Sequence, residues 1–196
     1  MNRIDHYCSL LSPWVFLGWP ELEQIARRHE LALRHVFVRL PEVFEANGGV
    51  PGGKKSPAKQ RYRDMELRRW ARFRGTEAMP RPAHHPFDDE LATRLVLAAE
   101  DRGEDFAALA YRFMRGLWQE DRNLADEATL YTLIREQGLD PDALRTNADA
   151  EAVHDRLAAQ TREAIDAGVF GVPTYQVGEE LFWGQDRLDL LERAMG

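Results

Sequence analysis

The chain has 196 residues, of which 44% are hydrophobic and 30% are charged, so it is long enough for one domain with a sizeable core or for a domain that carries a large insertion. Its net charge of −7 argues against a general nucleic-acid-binding protein. The single cysteine excludes an internal disulfide and is compatible with a reducing compartment. No apolar run follows a basic patch at the N-terminus, and no segment approaches a membrane span, so we expect a cytoplasmic protein.

The first 40 residues predict a strand, a helix and a second strand. Residues 4–7 form a short apolar strand, and a helix runs from Ser12-Pro13 to about His29. Serine suits the N-cap because its oxygen accepts an unpaired backbone N–H, and proline suits the first helical position, where no N–H is needed. Residues 31–38 alternate and contain β-branched and aromatic side chains, which is typical of a strand. A helix between two such strands implies a right-handed crossover and a parallel pair.

A basic helix is predicted after a loop over residues 47–53, which are rich in glycine and proline. Ser56-Pro57 opens this helix with the same cap and proline as Ser12-Pro13. Between residues 54 and 74 many side chains are basic and only Asp64 and Glu66 are acidic. The basic side is either solvated surface or a positive field that gathers an anionic small molecule. The apolar side is expected to consist of Tyr62, Met65, Trp70 and Phe73.

The middle of the chain is predicted to be helical. Before it, His84 and His85 lie in a proline-rich loop, where adjacent side chains diverge and no carboxylate or cysteine spacing completes a metal site, so we expect no metal. Asp140-Pro141 begins a short helical turn. The longer helices are expected at about residues 88–102, 105–120, 126–137 and 149–167.

Strands return in residues 174–177 and 181–183, which flank a glycine-containing turn and predict a hairpin. A final helix is expected from about residue 185 to residue 195. The organisation is therefore β-α-β, a helical block, and β-β-α. The block would place a helical wall beside the Ser12 turn and form a cleft there.

Three separated segments carry a resemblance to a known family. Ser12-Pro13-Trp14-Val15 looks like the Cys-Pro-Trp-Cys motif of thioredoxin-fold disulfide oxidoreductases with both cysteines replaced. Dithiol exchange needs an attacking and a resolving thiol, and this motif has neither. With Val172-Pro173 and the Trp183–Asp186 segment following in the same order, the chain resembles the 2-hydroxychromene-2-carboxylate isomerases and their relatives, the kappa-class glutathione transferases.

The resemblance implies an α/β, thioredoxin-like fold with a large all-helical insertion, the architecture of kappa-class glutathione transferases and DsbA. Residues 1–40 and 168–196 would form the thioredoxin-like domain, and residues 41–167 the helical insertion domain. The resemblance also implies glutathione as cofactor and a homodimer.

The same resemblance implies roles for individual residues. The Ser12 hydroxyl would donate to the sulfur of bound glutathione and act as the catalytic group. The Val172-Pro173 bond would be cis, with the backbone of Val172 pairing with glutathione. The segment that would hold the γ-glutamyl end consists of Trp183, Gly184, Gln185 and Asp186, whose carboxylate can accept from the α-ammonium.

The function implied is glutathione-dependent cis–trans isomerisation of an α,β-unsaturated aromatic keto acid by reversible thiolate addition. One alternative is a kappa-like glutathione transferase, which would consume glutathione by joining it to an electrophile. Another is a non-catalytic glutathione-binding protein. A redox role for Cys8 is a third alternative, although a lone cysteine in a strand is more typical of a core.

The substrate side departs from the family pattern. Phe44 stands where these isomerases place a lysine, and it cannot bind a carboxylate. Lys54 or Lys55 would then have to hold the anionic group of an aromatic, electrophilic substrate. His85 could polarise a carbonyl group, or it could be an exposed loop histidine.

Overall fold

The computed structural model describes residues 3–49 and 56–195 and is built around a four-stranded sheet in the order β2-β1-β3-β4. The strands are β1 (Arg3–Cys8), β2 (Ala32–Phe37), β3 (Thr174–Val177) and β4 (Glu180–Trp183). β1 runs parallel to β2 and antiparallel to β3, while β3 and β4 form the predicted hairpin. The two ends of the sequence therefore meet in one sheet, as the β-α-β and β-β-α pattern predicts.

Helix α1 (Pro13–Arg28) joins the parallel strands and begins where the sequence predicts. Ser12 is its N-cap and accepts a hydrogen bond from the Val15 N–H, while Pro13 occupies the first helical position. This cap fixes the Ser12 hydroxyl at the end of the helix where the dipole is positive.

The helical block consists of α2 (Leu40–Ala46), α3 (Pro57–Phe73), α4 (Glu90–Asp101), α5 (Phe106–Trp118), α6 (Glu127–Glu136), α7 (Pro141–Ala148) and α8 (Glu151–Asp166). The long helices confirm the predicted ones to within a few residues. Helix α2 was not predicted, because its seven residues carry no side-chain cap and follow the strand closely. The turn expected at Asp140-Pro141 extends into the whole of α7.

One hydrophobic cluster joins the sheet to the helical block. It combines Phe37 of β2 and Phe16 of α1 with Leu97, Phe113 and Leu157 of the block. The block therefore shares its core with the sheet, which confirms a thioredoxin-like fold with a large helical insertion. The domain boundaries placed at residues 40 and 168 stay a prediction.

The predicted apolar side of α3 is wrong in part. Phe73 is 74% exposed and Tyr62 is also exposed, whereas the helix buries Leu67 and Ala71. Asp64 is buried with them, because the Arg81 guanidinium binds its carboxylate at 2.7 Å. The neighbouring elements decide which residues of a helix are buried, and the residue types of α3 do not.

The chain after the hairpin forms a 3-10 turn over Gln185–Arg187 and then α9 (Leu188–Arg193), which divides the single final helix that the sequence predicted. Leu188 and Leu191 are buried, as expected. Within residues 3–49 and 56–195, no helix is both long and apolar enough to cross a membrane.

Candidate functional site

Ser12 and Val172, which are 160 residues apart, meet through a hydrogen bond. The Ser12 hydroxyl accepts from the Val15 N–H at 3.3 Å and donates to the Val172 carbonyl oxygen at 3.3 Å. Ser12 is buried, and the peptide bond between Val172 and Pro173 is cis, as the resemblance implied. The hydroxyl therefore links the start of α1 to the turn that enters β3, far along the chain but at the same end of the sheet.

The segment from Trp183 to Asp186 is tied to this turn through its backbone. The Gly184 N–H donates to the Pro173 carbonyl at 2.9 Å. Gly184 has a φ of 107°, and a Cβ there would lie 2.4 Å from Oδ1 of Asp186, so no other residue fits without rearrangement. Gly171 is similarly close to Trp183, since a Cβ on it would lie 2.8 Å from the indole Nε1. The predicted glutathione residues thus lie together in two segments joined by a backbone hydrogen bond.

Arg74, which sequence reasoning missed, anchors this segment from the end of α3. Its guanidinium donates to the Gln185 carbonyl at 3.0 Å and to the Gln185 side-chain oxygen at 3.3 Å, and it lies 3.5 Å from Glu21 of α1. Gln185 is buried, so its amide oxygen is already engaged inside the protein. Asp186 is different, because its side chain is 40% exposed and its carboxylate lies 3.6 Å from Arg187.

Two cavities share Val172 in their walls, and Ser12 lines the second of them. The first, of about 730 Å³, is lined by the predicted glutathione residues together with Trp14, Lys59, Tyr62 and Arg63. The second, of about 510 Å³, is lined by Ser12, Phe44 and His85. Trp14, Arg63, Val172 and Trp183 border both cavities. These volumes lie in the usual range for small-molecule sites, which is roughly 300–1,000 Å³.

His85 lies beside the Ser12 turn, partly buried. Its Nε2 is 3.1 Å from the Leu11 carbonyl oxygen, so Nε2 carries a proton and donates it, and the ring packs on Trp118 with centroids 4.8 Å apart. Burial lowers the pKa of His85, which keeps the imidazole neutral near pH 7. A neutral ring has only one N–H, and Leu11 already receives it. The other ring nitrogen, Nδ1, is then unprotonated and can only accept a hydrogen bond. Polarising a carbonyl group, the predicted role of His85, would need a proton on that nitrogen as well.

A partly buried carboxyl group, that of Asp89, supports the same turn from the helical block. The Ser9 hydroxyl donates to Asp89 at 3.2 Å and accepts from the Leu11 N–H at 3.2 Å, while the Ser12 N–H donates to the Ser9 carbonyl at 3.1 Å. Burial raises the pKa of Asp89 to about 7, and the Ser9 hydroxyl opposes that rise. The position of the Ser12 turn therefore depends on contacts from the N-terminus of α4.

Only a small part of the basic helix lines the first cavity. Lys59 and Arg63 line the first cavity. Glu66, which lines it as well, is paired with Arg69 at 2.6 Å. Lys54 and Lys55, the predicted substrate-binding residues, lie outside the residues that the structure describes. Sequence reasoning missed Arg63 because only the tertiary structure distinguishes it from the other bases of α3.

A polar cluster that the sequence did not predict lies in the core. His6 and His35 face each other across β1 and β2 with their Nδ1 atoms 3.0 Å apart, and Trp19 stacks on His35 with centroids 4.2 Å apart. Burial lowers the pKa of both histidines, that of His35 to about 3, so both are neutral. Cys8 lies near them, with its thiol pKa raised by burial, and the potential ligand atoms of the three residues lie within 4.8 Å of one another. The nitrogens bond to each other under aromatic cover, so we describe the cluster as core, and the absence of a metal stays a prediction.

Known proteins resemble this chain in sequence and in fold over nearly its whole length. Residues 3–196 match the profile of the DsbA-like thioredoxin domain family. A curated 2-hydroxychromene-2-carboxylate isomerase of Pseudomonas putida is 32% identical over 197 residues, which cover 98% of this chain and 94% of that protein. A solved structure of a 2-hydroxychromene-2-carboxylate isomerase superposes with a TM-score of 0.86 and 29% identity, covering 99% of this chain and 94% of the other. The cytosolic disulfide reductase DsbM of Pseudomonas aeruginosa, solved with GSH, shares the fold with a TM-score of 0.69 and 20% identity over 98% of each chain.

Proposed function

Because the chain belongs to the DsbA-like thioredoxin domain family and to the family of 2-hydroxychromene-2-carboxylate isomerases, we propose that it is an isomerase that uses glutathione as a cofactor. Its relatives are isomerases by name, which supports an isomerase function. The reaction would be cis–trans isomerisation of an α,β-unsaturated aromatic keto acid of the 2-hydroxychromene-2-carboxylate type.

The observation that carries this proposal is the contact between the Ser12 hydroxyl and the Val172 carbonyl, 3.3 Å apart. It brings the hydroxyl at the start of α1, which lines the second cavity, to Val172, which borders both cavities. One cavity can then take the tripeptide and the other the substrate, with Ser12 beside the place where the sulfur would meet the reacting carbon. DsbM, solved with GSH, is a protein of the same fold, which supports placing this tripeptide here.

The first cavity suits glutathione in charge and shape. Glutathione has one ammonium and two carboxylates, and the cavity offers the half-exposed Asp186 carboxylate for the former and Lys59 and Arg187 for the latter. Close approach of a peptide backbone is possible at Gly184, where a Cβ would fill the space beside Asp186. Trp183, which is 53% exposed, adds an apolar surface.

When bound, glutathione would supply a thiolate that adds to the conjugated carbon and leaves again, so that the former double bond can rotate in between. The Ser12 hydroxyl can turn from the Val172 carbonyl and donate to a negatively charged sulfur, which favours the ionised form. The N-terminus of α1 adds a favourable field at the same place. Apolar side chains of the second cavity, including Leu11, Leu40 and Phe44, would shield the reacting carbon of a bound substrate from water.

The test is conversion of 2-hydroxychromene-2-carboxylate to the trans keto acid with and without glutathione, followed by ultraviolet absorbance, with total thiol measured before and after. We expect conversion that requires glutathione and leaves its concentration unchanged. S-methylglutathione is the matched control, because it fits the same site but has no thiol to ionise, and it should not support conversion.

Three results would contradict the proposal. Stoichiometric loss of thiol would indicate a transferase. Binding of glutathione without any turnover would indicate a binding protein. Conversion at the same rate without glutathione would remove the cofactor altogether.

A further inference from the structure

Arg63 of α3 is the one arginine that borders both cavities in the part of the chain that the structure describes. Its side chain is 23% exposed, so the guanidinium is partly desolvated but still reaches open space. Trp14, Val172 and Trp183 border both cavities with it. Arg63 therefore lies where a substrate in the second cavity would approach a cofactor in the first.

The guanidinium of Arg63 has only part of a counter-ion. Its Nη1 donates to the Pro80 carbonyl at 3.2 Å and lies 3.8 Å from the Asp64 carboxylate. That carboxylate is already bound by Arg81 at 2.7 Å, so two guanidinium groups share one negative charge. Burial lowers the pKa of Arg63, and the nearby Arg81 charge adds to this effect, while Asp64 opposes it. A desolvated cation with half a counter-ion gains more from an anionic ligand than a solvated one does.

The rest of the second cavity is suited to an apolar body. Its wall is mainly aliphatic and aromatic, contributed by Leu11, Pro13, Trp14, Leu40, Pro41, Phe44, Pro80, Pro86, Val172 and Trp183. Its other charged side chains are Asp64 and Arg81, so together with Arg63 they leave one net positive charge, and its histidine is neutral. Among the residues that the structure describes, Arg63 is therefore the cation of this cavity with the weaker counter-ion, and it is the partner that a flat apolar molecule with one negative group would find.

We propose that Arg63 selects the substrate by binding the carboxylate of an aromatic acid in the second cavity. The reaction that the bound acid would undergo rests on the proposed function, whereas the binding of the acid to Arg63 does not. It assigns to Arg63 the role that sequence reasoning gave to Lys54 or Lys55. The planar guanidinium can present two parallel N–H donors to a carboxylate, which a lysine cannot do.

The test compares two probes that share the chromone ring, the charged chromone-2-carboxylate and its neutral ethyl ester, by calorimetric titration in the presence and absence of S-methylglutathione. We expect the protein to bind the carboxylate about ten- to a hundredfold more tightly than the ester, as a charge-assisted hydrogen bond would give. Arg63→Met should bind both probes with the affinity of the ester. Arg68→Met removes the same charge from the exposed side of the same helix and should keep the full preference.

Several outcomes would overturn the inference. Three of them are an unchanged preference for the carboxylate in Arg63→Met, an equal loss of affinity for both probes, and no binding of either probe to the unaltered protein. The fourth is that Arg63→Met loses affinity for S-methylglutathione alone, which would mean that Arg63 binds the tripeptide. Because Arg63→Met also loses the bond to Pro80, its folding is checked by thermal unfolding, and Arg63→Lys provides a second variant that keeps the charge. Arg63→Lys should retain part of the preference, and full retention would refute the paired-donor geometry.

The same measurements separate the two proposals. If glutathione supports no conversion but the carboxylate preference depends on Arg63, the proposed function fails and the inference stands. If conversion requires glutathione but Arg63→Met keeps the preference for the carboxylate, the inference fails and the proposed function stands.

Discussion

Replacing Ser12 with alanine should raise the pKa of the thiol of bound glutathione. The substitution removes one oxygen that has two roles, accepting from the Val15 N–H and donating to the Val172 carbonyl, both at 3.3 Å. Loss of the first contact is loss of an N-cap and should cost about 0.5–2 kcal/mol of folding free energy. Loss of the second removes the donor that is available to a bound sulfur.

The size of the change in the thiol pKa follows from replacing the hydrogen bond between Ser12 and Val172 with one between Ser12 and the sulfur. The bond to Val172 is long, so little is lost when the hydroxyl turns toward a thiolate. A hydrogen bond to a charged acceptor contributes about 1.5–3 kcal/mol, and one pKa unit corresponds to about 1.36 kcal/mol. The hydroxyl should therefore hold the pKa of the bound thiol about one to two units lower than in Ser12→Ala. The pKa of a free thiol is about 8.5, so this decides whether the sulfur is mostly ionised near neutral pH.

The assay is ultraviolet titration of the thiolate of bound glutathione, with S-methylglutathione as the baseline. Ser12→Thr keeps a hydroxyl and a capping oxygen and should stay near the unaltered protein. Ser56→Ala removes the matched cap of α3, where the serine accepts from the Lys59 N–H at 3.4 Å, and should leave the thiol pKa unchanged. Equal thiol pKa values in the unaltered protein and Ser12→Ala would refute the reasoning, whatever the effect on stability.

Two further predictions concern the core and the contact between the two halves of the site. The pKa of His35 is about 3 in the folded protein and about 6.5 in the unfolded chain, so its contribution to stability is present above pH 6.5 and is lost as the pH falls toward 3. Between pH 7 and pH 5 the free energy of unfolding, measured with urea, should therefore fall by about 2 kcal/mol less in His35→Gln than in the unaltered protein. Asp89 titrates in the same range but cancels in this difference, and identical pH slopes would contradict the prediction. In Gly18→Ala the added Cβ would lie 2.8 Å from the Tyr175 hydroxyl and 2.9 Å from Cβ of Gln185, so we expect about 1–3 kcal/mol of destabilisation in unfolding and weaker glutathione binding in calorimetry. Unchanged glutathione affinity would mean that the Gln185 segment is not displaced.

The parts of the fold that the sequence predicted are those with a local cause. A serine followed by proline marks the start of α1 and of α3, because the cap and the first helical position are satisfied within one turn. Helix α2 (Leu40–Ala46) has no such signal and was missed. The exposed Tyr62 and Phe73 of α3 were misassigned, because burial depends on elements distant in sequence.

The parts of the candidate site that the sequence predicted are those that lie in short, recognisable motifs. The Ser12 turn, Val172-Pro173 and the Trp183–Asp186 segment do come together. Arg63 and Arg74 could not be selected from a helix full of bases, since their roles depend on cavities and partners that only the folded chain creates. The homodimer and the cytoplasmic location stay predictions.

The order of strands also bears on how the protein is made. β1 is an inner strand, yet β3, its neighbour on one side, is translated more than 160 residues later. On the ribosome, β1 therefore has one edge whose backbone amides and carbonyls are not yet paired. Such an exposed edge can pair with a strand of another nascent chain. Only when the hairpin arrives does the edge close, and the cofactor pocket is completed in the same event.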